Sequence, residues 1–484
     1  SFYENHQLNA GFLQLRQTTD DVRFQECYDT SPSDITREYS LEWIENELLV
    51  KQFSGEHRFP SLSDLLFNWQ FTRSDVARFE PNTRKYEYET RPGQEGFGLT
   101  RGSQGNSQLI AQLDDQAEEG TIGFSMPFDV GSWDITLNAG YGTLERQRDS
   151  RIRRYRFRIG NSPLLTSLND IEDIFSPAYI SATDNALVTL VDNTAATDSY
   201  AAAQELDSAY FAVDFAYDED YRLNVGVRRE ANYQEVTTFQ PFLPGAVPDV
   251  ATIDEVNYLP AATFTWAYSD DAQFRVGYSK TVSRPDFREL TRSPFTDPLT
   301  DVTTQGNPDL QQAEITNYDL RWEYYFSDTE ILSLALFLKQ FENPIEIVRV
   351  PGTGELREPQ NAQEATNYGF EVDYYKSLSD LRRWDWFDRS WFGRIPWEDI
   401  YVGFNYAWIK SEITLGEDVI GIQTTDNRPL QGQSPYVLNF QIGYQDPDGQ
   451  REATLLYNVF GERIVGVGVR TLPDIYEQPL HQLD

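Results

Sequence analysis

The chain alternates apolar and polar residues over most of its length. Phe274, Val276 and Tyr278 fall on one side of an extended strand, with Arg275, Gly277 and Ser279 on the other. After a polar stretch of about two dozen residues the same period returns: Tyr318, Leu320, Trp322, Tyr324 and Phe326 share a face opposite Asp319, Arg321 and Glu323. It recurs at Leu65/Phe67/Trp69/Phe71, Ile122/Phe124/Met126/Phe128, Trp133/Ile135/Leu137/Ala139/Tyr141, Phe211/Val213/Phe215/Tyr217 and Leu223/Val225/Val227. Later examples include Leu332/Leu334/Leu336/Leu338, Tyr368/Phe370/Val372/Tyr374, Val402/Phe404/Tyr406/Trp408 and Leu438/Phe440/Ile442/Tyr444. The pattern predicts about fifteen strands, with a sixteenth opening at "HQLD", and few helices.

The connections sort by length. Short turns ("PSLS", "DVGS", "DED", "SDD", "SDTE", "DPDG") take turns with long polar loops near 76–118, 148–205, 235–256, 285–313, 349–366, 412–434 and 461–480. Short turns at one end and long loops at the other are how an outer-membrane barrel is laid out. A soluble sandwich alternates too, but its strands average about five or six residues and its loops do not segregate by length. The expected fold is therefore all-β, a transmembrane antiparallel β-barrel with long extracellular loops and short periplasmic turns. Residues 379–398, with four Trp and two Phe on the short-turn side, read as an interfacial aromatic anchor or as a surface packed against another part of the protein.

Composition changes this picture only at its margins. No run reaches the roughly eighteen apolar residues of a transmembrane helix, a test that is blind to barrels because each strand averages an apolar and a polar face. Aromatic residues make up 14% of the chain, which suits strands ending at a polar–apolar boundary. The net charge of −37 excludes a nucleic-acid partner. The acidic clusters at 113–120, 169–175 and 218–220 read as solvated loops; none has EF-hand spacing, although divalent cations could bridge such loops to anionic lipid. The single Cys27 excludes an internal disulfide and reads as an inert thiol. The N-terminal "SFYENHQLNAGF" has no signal-peptide pattern and reads as a mature or trimmed end.

No catalytic, metal or cofactor constellation emerges, and the expectation is that the chain is not an enzyme. His6, His57 and His481 are the only histidines, and His57 reads as a solvated or interfacial group. Asp319, Glu323, Glu371 and Asp373 lie on the polar faces among arginines, which suits a wet interior or contact with a plug better than an acid/base pair. Gly277, Gly369, Gly403 and Gly443 on those faces leave room for a plug. Pro285 and Pro308 fall in a loop, and Asn307 in "GNPDL" reads as a turn residue.

The strings "GYSKTVSRPDFREL", "GNPDLQQAEITNYDLRWEYYF", "FENPIE", "NAQEATNYGFEVDYYKSL", "NRPLQGQSPYVLNFQIGY", "ATLLYNVFGERI" and "LPDIYEQPLHQLD" together resemble the barrel of TonB-dependent outer-membrane receptors. The resemblance is continuous from about residue 199 to the end; before that it rests on pattern and on "EWIENELLVKQFSGEHRF". It implies a 22-stranded barrel plugged by an N-terminal domain, with residues near 5–25 as the fifth strand and "HQLD" as the start of the twentieth. Residues 1–484 would then be one partial barrel domain, with the plug, its TonB box and strands at both ends contributed from elsewhere. The implied function is import of a scarce, bulky nutrient such as a metal chelate, oligosaccharide or peptide; the alternatives are a passive porin and a surface adhesion or assembly barrel. Implied partners are the TonB–ExbB–ExbD system acting through the plug, outer-membrane lipid and lipopolysaccharide, the nutrient, and a possible surface lipoprotein or other outer-membrane protein. The implied location is the bacterial outer membrane. Within that frame Leu65, Phe124, Leu137, Val225, Leu334, Phe404 and Phe440 should face lipid, Asn68, Asn138, Arg222, Arg321 and Glu371 should face the lumen, and the segment 169–173 should be extracellular.

Overall fold

The structure, a computed structural model, describes residues 5–28, 35–90, 97–100, 105–160, 171–181, 187–195, 197–239, 247–296, 302–350, 356–383, 395–415, 423, 425, 427–446, 448–469 and 472–484. Among the described residues, sixteen strands of a 19-stranded main sheet form an antiparallel meander, each pairing with the next, with shorter strands added in the loops. The meander runs through β1 (His6–Tyr28), β2 (Ile35–Phe59), β3 (Leu65–Thr90), β4 (Asn106–Val130), β5 (Trp133–Ile159), β6 (Tyr200–Tyr217), β7 (Tyr221–Thr238) and β8 (Asp249–Ser269). The series continues with β9 (Ala272–Ser283), β10 (Ala313–Ser327), β11 (Glu330–Glu342), β12 (Glu364–Ser377), β13 (Ile400–Thr414), β14 (Tyr436–Gln445), β15 (Glu452–Phe460) and β16 (His481–Leu483). Every short turn named above lies at one end of these hairpins. The acidic "DED" at 218–220 is one of them, the β6–β7 turn, so it sits opposite the long loops.

The two faces separate as the alternation requires. Phe124 pairs with Phe67, their rings 5.0 Å apart, and Phe404 pairs with Phe440. Phe124, Val225 and Leu334 are exposed, while Leu65, Leu137, Phe404 and Phe440 are half-buried against neighbours on the same outward face. Asn68, Asn138, Arg222, Arg321 and Glu371 occupy the other face. Ring contacts run along the outward face at the short-turn end: Trp133–Tyr217 at 4.8 Å, Tyr221–Trp266 at 6.4 Å, Tyr324–Phe326 at 4.9 Å and Phe326–Tyr374 at 6.2 Å. Trp322 donates to the Tyr268 hydroxyl at 2.9 Å. Such a girdle places amphipathic rings where hydrocarbon gives way to water.

Several expected loops are in fact strand. β4 and β5 run for 25 and 27 residues, about 80 Å at roughly 3.3 Å per residue, far beyond the 9–11 or so that cross a bilayer. Residues 76–90 and 106–118 continue β3 and β4, residues 148–159 continue β5, and the acidic cluster 113–120 lies inside β4. Beyond the hydrocarbon the outward face no longer has to be apolar, so the alternation fades while the hydrogen-bond ladder goes on. Of the cluster 169–175, residues 169 and 170 lie outside the described residues; Ile171–Ile174 forms a single turn, α1, with Ile174 buried in a cluster with Leu99, Phe157, Ile159 and Val188. Most of the Trp-rich segment, 384–394, also lies outside the described residues.

Two of the inward glycines lie beneath side chains of neighbouring strands. A Cβ on Gly443 would lie 2.0 Å from the Tyr401 ring, and one on Gly403 would lie 2.4 Å from the Gln441 amide. These positions seat side chains of neighbouring strands, as glycines do when a cross-strand ring covers them.

Candidate ligand site in the barrel lumen

The segment from Arg284 to Gln312 leaves β9 and folds back against the inner face. Asp286 caps a one-turn helix, α2 (Phe287–Leu290): its carboxylate accepts from Arg288 N at 3.0 Å, and Glu289 reaches back to Asp286 N at 2.8 Å. This capping box satisfies donors that so short a helix leaves free. The turn is amphipathic. Phe287 and Leu290 are buried, 2% and 1% exposed, with Tyr200 and Ala202 of β6, Val236 of β7, and Ala251 and Ile253 of β8. Burying a phenylalanine and a leucine contributes roughly 1.5–3 kcal/mol each, enough to hold the segment on the wall.

The return path explains the "GNPDL" string. A Cβ on Gly306 would fall 2.3–2.7 Å from the carbonyl oxygens of Thr291, Arg288 and Glu289, so only glycine fits beneath α2. Asn307 donates its backbone N–H to Glu289 O at 2.6 Å, and its side-chain oxygen accepts from Asp309 N at 3.0 Å. Asn307 is a turn residue, as its sequence reads. Gln234 Nε2 donates to Pro285 O at 2.9 Å.

Beside α2 lies a cavity of about 390 Å³ lined by Arg78, Arg148, Tyr200, Asp286, Arg288 and Phe295, among others. Its far wall belongs to β3, β4 and β5. Arg148 bonds Asp115 at 2.5 Å and Asp286 at 3.2 Å, tying β5 to the loop after β9, and Arg154 donates to Pro294 O at 3.0 Å. Contacts between elements so distant in the meander require the sheet to curl round a common space. Arg146 joins Asp115 at 2.8 Å, and both guanidiniums lie over the Phe287 ring, 5.1 and 5.3 Å from its centroid. Arg78 pairs with Glu80 at 2.5 Å.

Arg288 differs from these arginines. It opens onto the cavity, rests over the Phe295 ring at 3.6 Å, and has no carboxylate partner among the described residues. Burial within the lumen, together with the charges of Arg78 and Arg148, pulls its pKa below the ordinary arginine value, against the opposing pull of Tyr200 and Asp286.

Towards the middle of the barrel the inner face carries a polar ladder across adjacent strands. Glu323 forms ion pairs with Arg321 at 3.0 Å and Arg275 at 3.6 Å, and Arg321 reaches Asp373 at 3.6 Å. Asn405 donates to Asp373 and to it Asn439 donates at 3.2 Å, with Asn458 donating in turn to Asn439 at 2.5 Å. Of the four carboxylates marked from sequence, Glu323 and Asp373 join this ladder, while Asp319 and Glu371 stand on the same face beside it. Paired with arginine or amide, Glu323 and Asp373 do not form a free acid/base couple. The histidines do not converge on the lumen: His6 and His57 meet at 3.2 Å, Trp69 donates to His57 at 3.1 Å, and His481 meets the Tyr457 hydroxyl at 2.7 Å. Among the described residues no cluster of His, Cys, Asp and Glu could hold a metal, and Cys27 is exposed and unpaired.

A family model described as "TonB dependent receptor-like, beta-barrel" matches residues 2–479. The chain belongs to the TonB-dependent receptors. Its fold matches the unliganded ferric citrate transporter FecA with a TM-score of 0.53, 10% identity, and coverage of 99% of this chain and 69% of that one. It is also similar to the ferric yersiniabactin uptake receptor FyuA of Yersinia pestis (TM-score 0.49, 10% identity, 99% and 67% covered). A third similar structure is the alcaligin receptor FauA of Bordetella pertussis (0.47, 14%, 95% and 65% covered). The chain thus spans about two thirds of the length of these receptors, and only 65% of FauA. No curated protein sequence matches it. TonB-dependent receptors are outer-membrane transport proteins of Gram-negative bacteria. Arg78 and Arg148 escaped the sequence reading because they lie where loops were expected. Arg288 was in view within "PDFREL", where acid, aromatic, base and acid in succession are the signature of a capped turn with one buried and one open face.

Proposed function

We propose that the complete protein is a plugged, energy-coupled importer of a bulky nutrient, and that this chain forms most of its barrel wall. The observation that carries the reading is the inner face. Charged and amide side chains from β9 to β15 are linked there into a polar ladder, which suits contact with a polar plug. Backbone groups on the outer edges of β1 and β16 need partners, because each unsatisfied N–H or C=O in hydrocarbon costs several kcal/mol. We assign those partners, the plug and its TonB box to the remainder of the protein, which makes residues 1–484 a partial barrel domain coupled through the plug to TonB–ExbB–ExbD. The cargo belongs to the class of metal chelates, oligosaccharides and peptides, and the protein carries out transport rather than catalysis. Further partners in this reading are lipid, lipopolysaccharide and a surface lipoprotein.

The test is nutrient uptake by cells carrying the full-length gene, with and without the inner-membrane proton gradient. Uptake should stop when the gradient collapses. Import that survives collapse, together with large open-channel conductance of the purified protein, would establish a porin instead.

A further inference from the structure

We propose that the cavity beside α2 binds a single carboxylate of the transported ligand, with Arg288 as its counter-charge; the inference rests on the importer reading and narrows the cargo to molecules that carry such a group. Charge counting gives the class. Arg78 is neutralised by Glu80, and Arg146 and Arg148 are balanced by Asp115 and Asp286, so among the described residues Arg288 is left as a surplus cation. One surplus positive charge, inside a protein of net charge −37, matches a monoanion. A phosphate dianion would set its second charge against Glu80 and Asp286, which line the same space. The planar guanidinium offers a two-pronged donor edge that fits a carboxylate.

The aromatic groups set the shape. The Arg288 guanidinium lies over the Phe295 ring at 3.6 Å, while Tyr200, 4% exposed, closes one side. The cavity of about 390 Å³ takes a ring-sized fragment but not a whole bulky nutrient, so it is a subsite for one arm of the ligand. The arm enters beside a segment held rigid by buried Phe287 and Leu290, so binding requires little ordering of the protein.

The test uses purified full-length receptor in detergent and three probes of one shape: benzoate, the neutral benzamide, and phenyl phosphate. Calorimetry should show benzoate binding about tenfold or more tightly than benzamide, a ratio in keeping with one charge-assisted contact. Arg288→Gln should bring benzoate down to the benzamide level, and Arg288→Lys should keep most of the preference. Phenyl phosphate should bind more weakly than benzoate. The Arg288 side chain rests over the exposed Phe295 and makes no ion pair among the described residues, so the variants should melt at the wild-type temperature, and a melting scan of each separates a lost preference from misfolding. Equal binding of benzoate and benzamide, an unchanged Arg288→Gln protein, tighter binding of phenyl phosphate, or no benzoate binding because another segment fills the cavity would each overturn the assignment. These measurements do not involve the proton gradient, so failure of energy coupling in cells and failure of the carboxylate site remain separate outcomes.

Discussion

Arg428 and Glu346 lie 82 residues apart and form a buried two-pronged ion pair, at 2.9 and 2.8 Å, with side chains 1% and 4% exposed. Glu346 belongs to the β11–β12 loop and Arg428 to the β13–β14 loop. The arginine also bonds Gln423 at 2.9 Å and Pro429 O at 3.2 Å, and Gln431 N donates to Glu346 at 2.7 Å. Replacing Arg428 with Met removes both guanidinium contacts and leaves a buried carboxylate with the Gln431 amide as its remaining donor. Breaking one side of a buried pair costs about 3–5 kcal/mol. The loss falls on the loop cap and not on the strands, so global melting of the barrel is the wrong assay. Hydrogen exchange at three amides that bond between loops reads it directly: Ile347 N to the Gln431 side chain at 2.9 Å, Gln431 N, and Gly432 N to Ile464 O at 2.8 Å. Local opening should accelerate by about a hundredfold or more, since each 1.4 kcal/mol or so is tenfold. Adding Glu346→Leu removes the orphaned charge and should restore at least half of the protection. Exchange within threefold of wild type in the single variant, or a double variant no better than the single, would refute the reasoning.

Gly306→Ala should loosen the lumen segment, because its Cβ would meet three carbonyl oxygens that belong to α2 and its C-terminal residue; faster proteolysis between 284 and 312 at unchanged strand content checks this, and full protection would contradict it. Burial holds the Glu358 carboxyl above the ordinary glutamate range, helped by Asp309 and opposed by Arg292 and Gln360. A raised folded pKa means that the associated stability is complete below the unfolded value of about 4.3 and is lost as pH rises through the folded one. Protection of the paired strands Ile345–Arg349 and Leu356–Asn361 should therefore fall from pH 4 to pH 7, and Glu358→Gln should flatten that slope; a slope that rises with pH would be the wrong sign. An epitope inserted at Val247, 82% exposed beside the β7–β8 loop, should be reached by antibody on intact cells, while one in the 446–449 turn should require permeabilisation; the reverse pattern would invert the topology.

Much of this protein is legible in its sequence because a strand states its own faces. Leu320 and Trp322 against Arg321 is a local fact: side chains two apart share a side, and a one-residue slip would put Arg321 into lipid at a cost of about 2–4 kcal/mol. The strands of the meander, the outward aromatic girdle, the positions of the short turns and the turn role of Asn307 all follow from such local rules. The site did not follow from them. Arg148 meets Asp286 across 138 residues, and Arg428 meets Glu346 across 82. Outside the hydrocarbon no solvent forces an apolar period, so β3, β4 and β5 continue unseen through Arg78, Asp115 and Arg148. Only the curl of the sheet around the folded-back segment decides which polar side chains are neutralised and leaves Arg288 without a carboxylate partner among the described residues, because electrostatic pairing depends on distance in space while periodicity reports only distance along the chain.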